Sequence, residues 1–406
     1  MKRFIYVILD GAADLPIREL GNKTPLEAAE KPYLDALAKY SRLGVMSVVR
    51  HDIAPESDEA MLSLLGFDPF VYHTGRGPLE ALGADVVKEI KDEVILRCNF
   101  AKEEHGFITD TEVVPGPAEI KKIARLLNKI NKIGGVETKF VPTAGHRSVL
   151  ILKGKNLSPK ITNANPSYRM VEGFVTTALP KVNLRFVPCK PLEKTPAAAK
   201  TAQVLNAWLG AARKILCAHR IKCANLILAR GAGNSFPDLK NFKTRWALLA
   251  DMPVEKAIGK LCGMTVLKKP PFISGKNYNF GKLADIILKN FSRFDCFYIE
   301  IKGPDMYAHR NDPIGKKQII EKIDHGFFKP LFSKLIENGA YVKICVAADH
   351  TTSCATKSHT SNPVPVMIYD SDTKGDNINK FGERYCAEGK LRFTSGTELF
   401  RLLNIK

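Results

Sequence analysis

The chain has 406 residues, 45% hydrophobic and 25% charged, an ordinary globular composition that excludes a low-complexity protein and allows a large core, in two domains. Its nine cysteines are scattered, odd in number and never spaced C-x-x-C, which argues against a disulfide framework or a zinc ribbon and for a reducing cytoplasm. The net charge of +19 implies a field that draws in anions, but the lysines are spread along the chain and no nucleic-acid motif is found, so a solvated basic surface is the plainer reading.

The opening MKRFIYVILDG has an apolar part of only Phe4 to Leu9, closed by Asp10, which predicts a core strand rather than a signal peptide. No later run is long enough to span a bilayer, so no membrane association is expected. A helix around Lys31 to Tyr40, with Pro32 near its start, and a strand at Val45 to Val49 complete a βαβ pattern. Ser57 follows Pro55 and precedes Met61, Leu62, Leu64 and Leu65, the position of a helix N-cap.

From about residue 77 to 225 the pattern changes to more polar strands, such as Ser148 to Leu152, and isolated amphipathic helices. One of these follows Pro117, carries Ile120, Ile123, Leu127 and Ile130 on one stripe, and stops at Gly134 and Gly135. This stretch reads as an inserted α+β domain, 77–225, between two parts of a core, 1–76 and 226–406. In the last third the alternation returns. Strands are expected at Trp246 to Leu249, Thr265 to Leu267, Phe294 to Ile301 and Val342 to Ala348, with helices at Val254 to Leu261, Gly281 to Phe291 and Lys316 to Asn338. Such alternation argues for an α/β fold with a mainly parallel sheet flanked by helices.

Three apolar strands run into a carboxylate: FIYVILDG into Asp10, FYIEIKGPD into Asp305 and VKICVAADH into Asp349. Ligands of open α/β sheets bind beyond the carboxyl ends of the strands, so distant segments can deliver these acids to one place. Asp305 and His309 are spaced i, i+4, one face of a helical turn, and His350 and His359 add two imidazoles. Taken singly, a strand-end Asp is often a helix cap and a lone His an ordinary surface or core residue; it is their shared placement after strands that points to metal. Three oxygens and three nitrogens suit two divalent ions such as Mn²⁺, Zn²⁺ or Co²⁺ better than one structural zinc. Ser57 supplies a hydroxyl at a helix N-terminus, where free N–H groups favour a phosphoryl group, and ligation to a metal would make it a nucleophile.

At these residues the chain resembles the archaeal-type cofactor-independent phosphoglycerate mutases of the alkaline phosphatase superfamily. The matching segments are ILDGAADLPIRELGNKTPLEAAEKPYLDALA, SDEAMLSLLGFDPFVYHTGRGPLEALGA, LRCNFA, LARGAG, KGPDMYAH, IIEKID, ADHTTS and KSHTSNPVPV. The resemblance implies an alkaline-phosphatase-like core with an inserted substrate domain. It implies one metal on Asp10, Ser57, Asp349 and His350 and another on Asp305, His309 and His359, with manganese in first place and zinc, cobalt or magnesium as alternatives. Ser57 would be transiently phosphorylated as 3-phosphoglycerate and 2-phosphoglycerate interconvert. Arg76 and Arg97 resemble positions that hold the substrate's phosphate or carboxylate, and Arg147 and Arg230 are further candidates.

The inserted segment departs from that family. Where members carry D-R-x-A-G-R this chain has TDTEVVPGPAEI, without arginine; where they read D-x-D-P-H it has NANPS, with Asn163, Asn165 and Ser167; and Met306 and Tyr307 replace commoner residues beside Asp305. Losing an arginine from a buried anion pair costs on the order of 2–5 kcal/mol, enough to change a preferred substrate. A metal-dependent phosphatase or phosphotransferase acting on another hydroxyl compound is therefore the alternative expectation.

Overall fold

A computed structural model describes residues 2–221, 223–272 and 278–405. The chain divides into two compact units, one of residues 1–71, 239–251 and 259–406, the other of residues 72–238 and 252–258.

The first unit is built on an eight-stranded sheet. Its spatial order is Thr265–Val266, Trp246–Leu249, Cys296–Ile301, Arg3–Leu9, Val342–Ala347, Val364–Asp370, Ser41–Met46 and Leu391–Phe393. Every neighbouring pair is parallel except the two that flank Val364–Asp370. The central strand Arg3–Leu9 is buried from Phe4 onward, as a strand covered on both faces by helices requires.

Most expected elements lie within two residues of their predicted ends; four readings change. The strand expected at Val45 to Val49 is Ser41–Met46. Its ladder partners, Tyr369 opposite Ser41 through Val364 opposite Met46, fix the register, and Gly44 lets Leu391 approach too closely for any side chain. The antiparallel strand Val364–Asp370 itself was not anticipated. The helix expected over Lys316 to Asn338 runs from Pro313 to Glu337, but as two α-segments joined by a π-turn at Asp324–Phe328. Pro330 lacks the N–H an α-turn needs there, and a wider turn accommodates it. In the second unit, the helix after Pro117 ends at Leu127, leaving Ile130 outside it, because the Asn128 amide exchanges a pair of hydrogen bonds with the main chain of Phe140 while its Nδ2 also donates back to the Ala124 carbonyl.

The second unit holds an antiparallel sheet in the order Leu226–Gly233, Glu93–Glu104, Arg147–Lys153, Val136–Pro142 and Lys132–Ile133. One face buries Leu96, Cys98, Phe100, Leu150 and Ile227 with Trp208 and Leu205 of the helix Pro196–Ala218. On the other face Ile95, Val149 and Ile151 pack with Ala81 of the helix Arg76–Gly83. Among the described residues no helix is long and apolar enough to cross a membrane, and all nine cysteines are free thiols.

Candidate active site

The three strands that precede the acids are immediate neighbours at the centre of the first sheet: Cys296–Ile301, Arg3–Leu9 and Val342–Ala347. Being parallel, they end on the same side, which is how residues some 300 positions apart in sequence come together. Asp10 follows its strand directly and Asp349 follows by two residues. Asp305 stands in the first turn of the short helix Pro304–His309, which Gly303 opens at φ 144°, a backbone angle that favours glycine. That helix carries His309 one turn further on. His359 comes from the hairpin Thr351–Ser353/Ser358–Thr360, where it is the cross-strand partner of Thr352.

These side chains form two trios, Asp10 with Asp349 and His350, and Asp305 with His309 and His359; in each, one ligand atom per residue lies within 4.8 Å of the others. The trios abut, since the His350 and His359 rings stack with centroids 3.6 Å apart. His350 Nε2 is 3.2 Å from Asp349 Oδ2 and 3.5 Å from Asp10 Oδ1. His309 and His359 Nε2 lie 3.3 and 3.5 Å from Asp305 Oδ1.

All three imidazoles have Nδ1 engaged elsewhere: His309 with the Lys357 carbonyl at 2.8 Å, His359 with the Pro55 carbonyl at 2.7 Å and His350 with Thr352 Oγ1 at 2.9 Å. Each therefore presents Nε2 to its carboxylate, the arrangement outer hydrogen bonds impose on ligating histidines. Gly11 N–H donates to Asp349 Oδ1 at 2.9 Å, and Lys302 Nζ lies 3.2 Å from Asp10 Oδ2 while also pairing with Glu300.

The electrostatics are those of ionisable groups crowded out of water. Burial pushes the Asp10 carboxyl up to about 8, against the pull of the Lys302 ammonium. Burial works the same way on Asp349, but the facing His350 overrides it and brings the carboxyl down to about 2. His350 is raised to about 9, the Asp349 carboxylate outweighing burial, whereas burial and the neighbouring His350 bring His359 down to about 4. His350 Nε2 is buried without a well-formed hydrogen bond. A buried nitrogen set between two carboxylates without a well-aligned hydrogen bond fits a cation, and the mixed N/O donor sets suit divalent ions.

Ser57 is not the N-cap expected of it. Glu56 takes that position, its N–H bonded to Glu59 Oε2 at 3.2 Å, and Ser57 is the first residue of the helix Ser57–Leu64, half-buried. The hydroxyl is thus not committed to capping. The Pro55 carbonyl that holds His359 is two residues away, which ties the start of this helix to the second trio.

In the second unit the four arginines gather on one sheet face. Arg97 and Arg230 are direct cross-strand partners, Asn99 is the partner of Arg147, and Asn99 is two residues from Arg97 and so on the same face. Arg76 comes from the helix packed on that face and, like Arg97 and Arg230, is buried. Burial and the charges of Arg230, Arg76 and Arg147 bring the Arg97 guanidinium down to about 9. His146 Nε2 lies 3.2 Å from Arg97 Nη2; a guanidinium can only donate, so this nitrogen accepts. Burial, then Arg147, holds the imidazole neutral, well below its ordinary range.

The NANPS segment lies against the same strand: Asn163 Oδ1 accepts from Gly231 N–H at 3.0 Å, and Arg230 stacks on the Tyr168 ring at 3.9 Å. Asn165 Nδ2, Ser167 Oγ and the Nε atoms of Arg97 and Arg147 are buried without partners. Unpartnered buried donors of this kind suit an anionic ligand. Glu112, in the segment that lacks the family's arginine, pairs with Lys181 at 3.0 Å.

Sequence reasoning missed Thr352, Lys302, Lys316 and His146. Thr352 and Lys302 sit inside the conspicuous segments ADHTTS and KGPD, but nothing in their spacing shows which neighbour they serve.

The family model described as 2,3-bisphosphoglycerate-independent phosphoglycerate mutase matches residues 38–222. A protein of that name from Methanosphaera stadtmanae is 33% identical, covering 99% of this chain and 97% of its own length. Among solved structures, a cofactor-independent phosphoglycerate mutase from Thermoplasma acidophilum is 28% identical with a TM-score of 0.59 over 99% of both chains. A Pyrococcus horikoshii protein shares the fold at a TM-score of 0.72 and 24% identity, over 99% of this chain and 96% of that one. The chain belongs to the 2,3-bisphosphoglycerate-independent phosphoglycerate mutase family.

Proposed function

We propose that this protein interconverts 3-phosphoglycerate and 2-phosphoglycerate through a phosphoserine at Ser57. The observation that carries the reading is the pair of abutting ligand trios at the ends of three adjacent central strands, each histidine held with Nε2 inward.

Asp10, Asp349 and His350 would hold one divalent ion with Ser57, and Asp305, His309 and His359 the other, manganese being the first choice and zinc, cobalt or magnesium the alternatives. Two such ions supply Lewis acidity, easing loss of the Ser57 proton and neutralising charge on the transferring group.

Ser57 Oγ attacks phosphorus as the bond from phosphorus to the substrate oxygen breaks and that oxygen takes up a proton. The neighbouring hydroxyl of the glycerate then attacks the phosphoserine and restores Ser57, so protons and phosphoryl groups balance without bisphosphoglycerate. Arg76, Arg97, Arg147 and Arg230, with Asn165 and Ser167, bind the anionic groups of the substrate, and neutral His146 orients Arg97. Free thiols and a phosphorylated metabolite as substrate favour the cytoplasm, with neither nucleic acid nor membrane required.

The test is turnover of 3-phosphoglycerate by metal-stripped protein reconstituted with each cation, coupled to enolase, with Ser57→Ala as control. Net isomerisation with little free phosphate supports the mutase. Stoichiometric phosphate release would assign a phosphatase, and wild-type-like turnover in Ser57→Ala would remove the phosphoserine step.

A further inference from the structure

Thr352 is wholly buried, and its hydroxyl stands between the two trios. It donates to Asp305 Oδ1 at 2.8 Å and accepts from His350 Nδ1 at 2.9 Å. The direction of both bonds is forced. An ionised carboxylate can only accept, so the one hydroxyl proton goes to Asp305 and an oxygen lone pair is left for His350 Nδ1–H. His350 is thereby held with Nε2 toward Asp10 and Asp349, while the same oxygen restrains a carboxylate oxygen of the other trio.

The surroundings hold this hydroxyl in place. Thr352 N–H donates to the Ala13 carbonyl at 3.1 Å, and the Thr352 carbonyl accepts from the buried Lys316 ammonium at 2.7 Å. Gly11, at φ +58°, closes the remaining side: a Cβ there would lie 2.6 Å from Thr352 Oγ1 and 2.7 Å from Asp305 Cβ. The bare glycine is what lets the three residues meet.

We propose that Thr352 is a positioning residue that couples the two cation sites, so that two divalent ions load as a cooperative pair. Two neighbouring dications repel, and alone they would fill in separate steps, the second weaker. The shared hydroxyl opposes this. An ion on the first trio fixes the His350 ring, the ring fixes the hydroxyl, and the hydroxyl holds Asp305 in its ligating orientation. This inference rests on the reading of both trios as cation sites.

The test is a calorimetric titration of metal-stripped protein with Mn²⁺, paired with visible spectra during Co²⁺ titration, for wild type, Thr352→Val, Thr352→Ala and Thr352→Ser. Wild type should take up two ions in a single transition. The Val and Ala variants should bind in two resolved steps, the weaker reduced about 10- to 100-fold, the usual scale of a lost outer partner, and Ser should restore one step. The cobalt spectrum of the two deletions should develop in two phases. Two ions bound identically by wild type, Val and Ala would overturn the role of Thr352 and leave the cation sites standing. Fewer than two ions bound by wild type would overturn the site reading and this inference with it. Val and Ala differ in bulk, so agreement between them separates loss of the hydroxyl from a packing defect.

Discussion

Lys316 and Asp14 form an ion pair at 2.9 Å with both side chains shut off from solvent, and the same ammonium donates to the carbonyls of Ala13 and Thr352. Three donors thus meet three acceptors, which is how a buried lysine is tolerated. It joins the loop after the central strand to the hairpin that carries His359. Lys316→Met would take the counter-ion from buried Asp14 and the Lys316 donor from the Thr352 carbonyl, while the Ala13 carbonyl keeps the Thr352 N–H, and should cost roughly 3–5 kcal/mol in chemical denaturation. A loss below about 1 kcal/mol would show that the pair does not hold the loop.

Ser57→Ala should abolish the mutase while sparing the fold. Glu56, not Ser57, caps the helix, so the melting temperature of the variant should match wild type. Turnover should fall by about 10⁴-fold or more, as for loss of other covalent nucleophiles, and label from ³²P-phosphoglycerate should no longer be retained on the denatured protein.

Arg97 is buried beside three other arginines, and replacing it by Gln should weaken substrate capture rather than folding. The expected loss in kcat/KM is roughly 30- to 5,000-fold, equivalent to about 2–5 kcal/mol for a buried charged partner. Removing one of four repelling cations should leave the melting temperature unchanged or raised. Unchanged kinetics would place substrate recognition elsewhere.

Stability of the metal-free protein should fall as pH rises from about 6.5 to 9. The folded-state pKa of His350, about 9, lies above its ordinary value of 6.5; its contribution is complete below 6.5 and is lost as pH passes through 9. Asp10, raised from 3.8 to about 8, acts in the same direction up to pH 8, its share of the loss having begun near the ordinary carboxylate value. Divalent ions require the deprotonated ligands, so the gain in melting temperature on adding saturating Mn²⁺ should widen across the window. A gain that stays flat between pH 6.5 and 9 would contradict a site built on these two groups.

Much of the first unit was legible because its strands are largely apolar runs closed by a carboxylate: Phe4 to Leu9 into Asp10, and Val342 to Ala347, interrupted by Lys343, into Asp349. The strand Val364–Asp370 was not, because VPVMIYD follows the ligand segment with a proline in its second position and has no helix before it to mark a crossover. Ser41–Met46 was displaced in the reading because SRLGVM begins with polar residues and contains a glycine that only the pairing with Leu391 explains. The arginines could be named from LRCN and LARGAG; their gathering on one face depends on the pairing of Arg97 with Arg230, which no local pattern encodes.

By itself the sequence determined the kind of chemistry. Carboxylates and imidazoles at strand ends and i, i+4 spacing are local consequences of residue order, and they point to bound cations whatever the strand order. Tertiary structure brought those groups together as two trios, the division the family resemblance implies, and it alone decided that Glu56 and not Ser57 caps the helix and that one buried hydroxyl lies between His350 and Asp305. These depend on which strands are neighbours and where each hydroxyl proton goes, and such long-range pairings are settled by packing and hydrogen-bond satisfaction across the whole core.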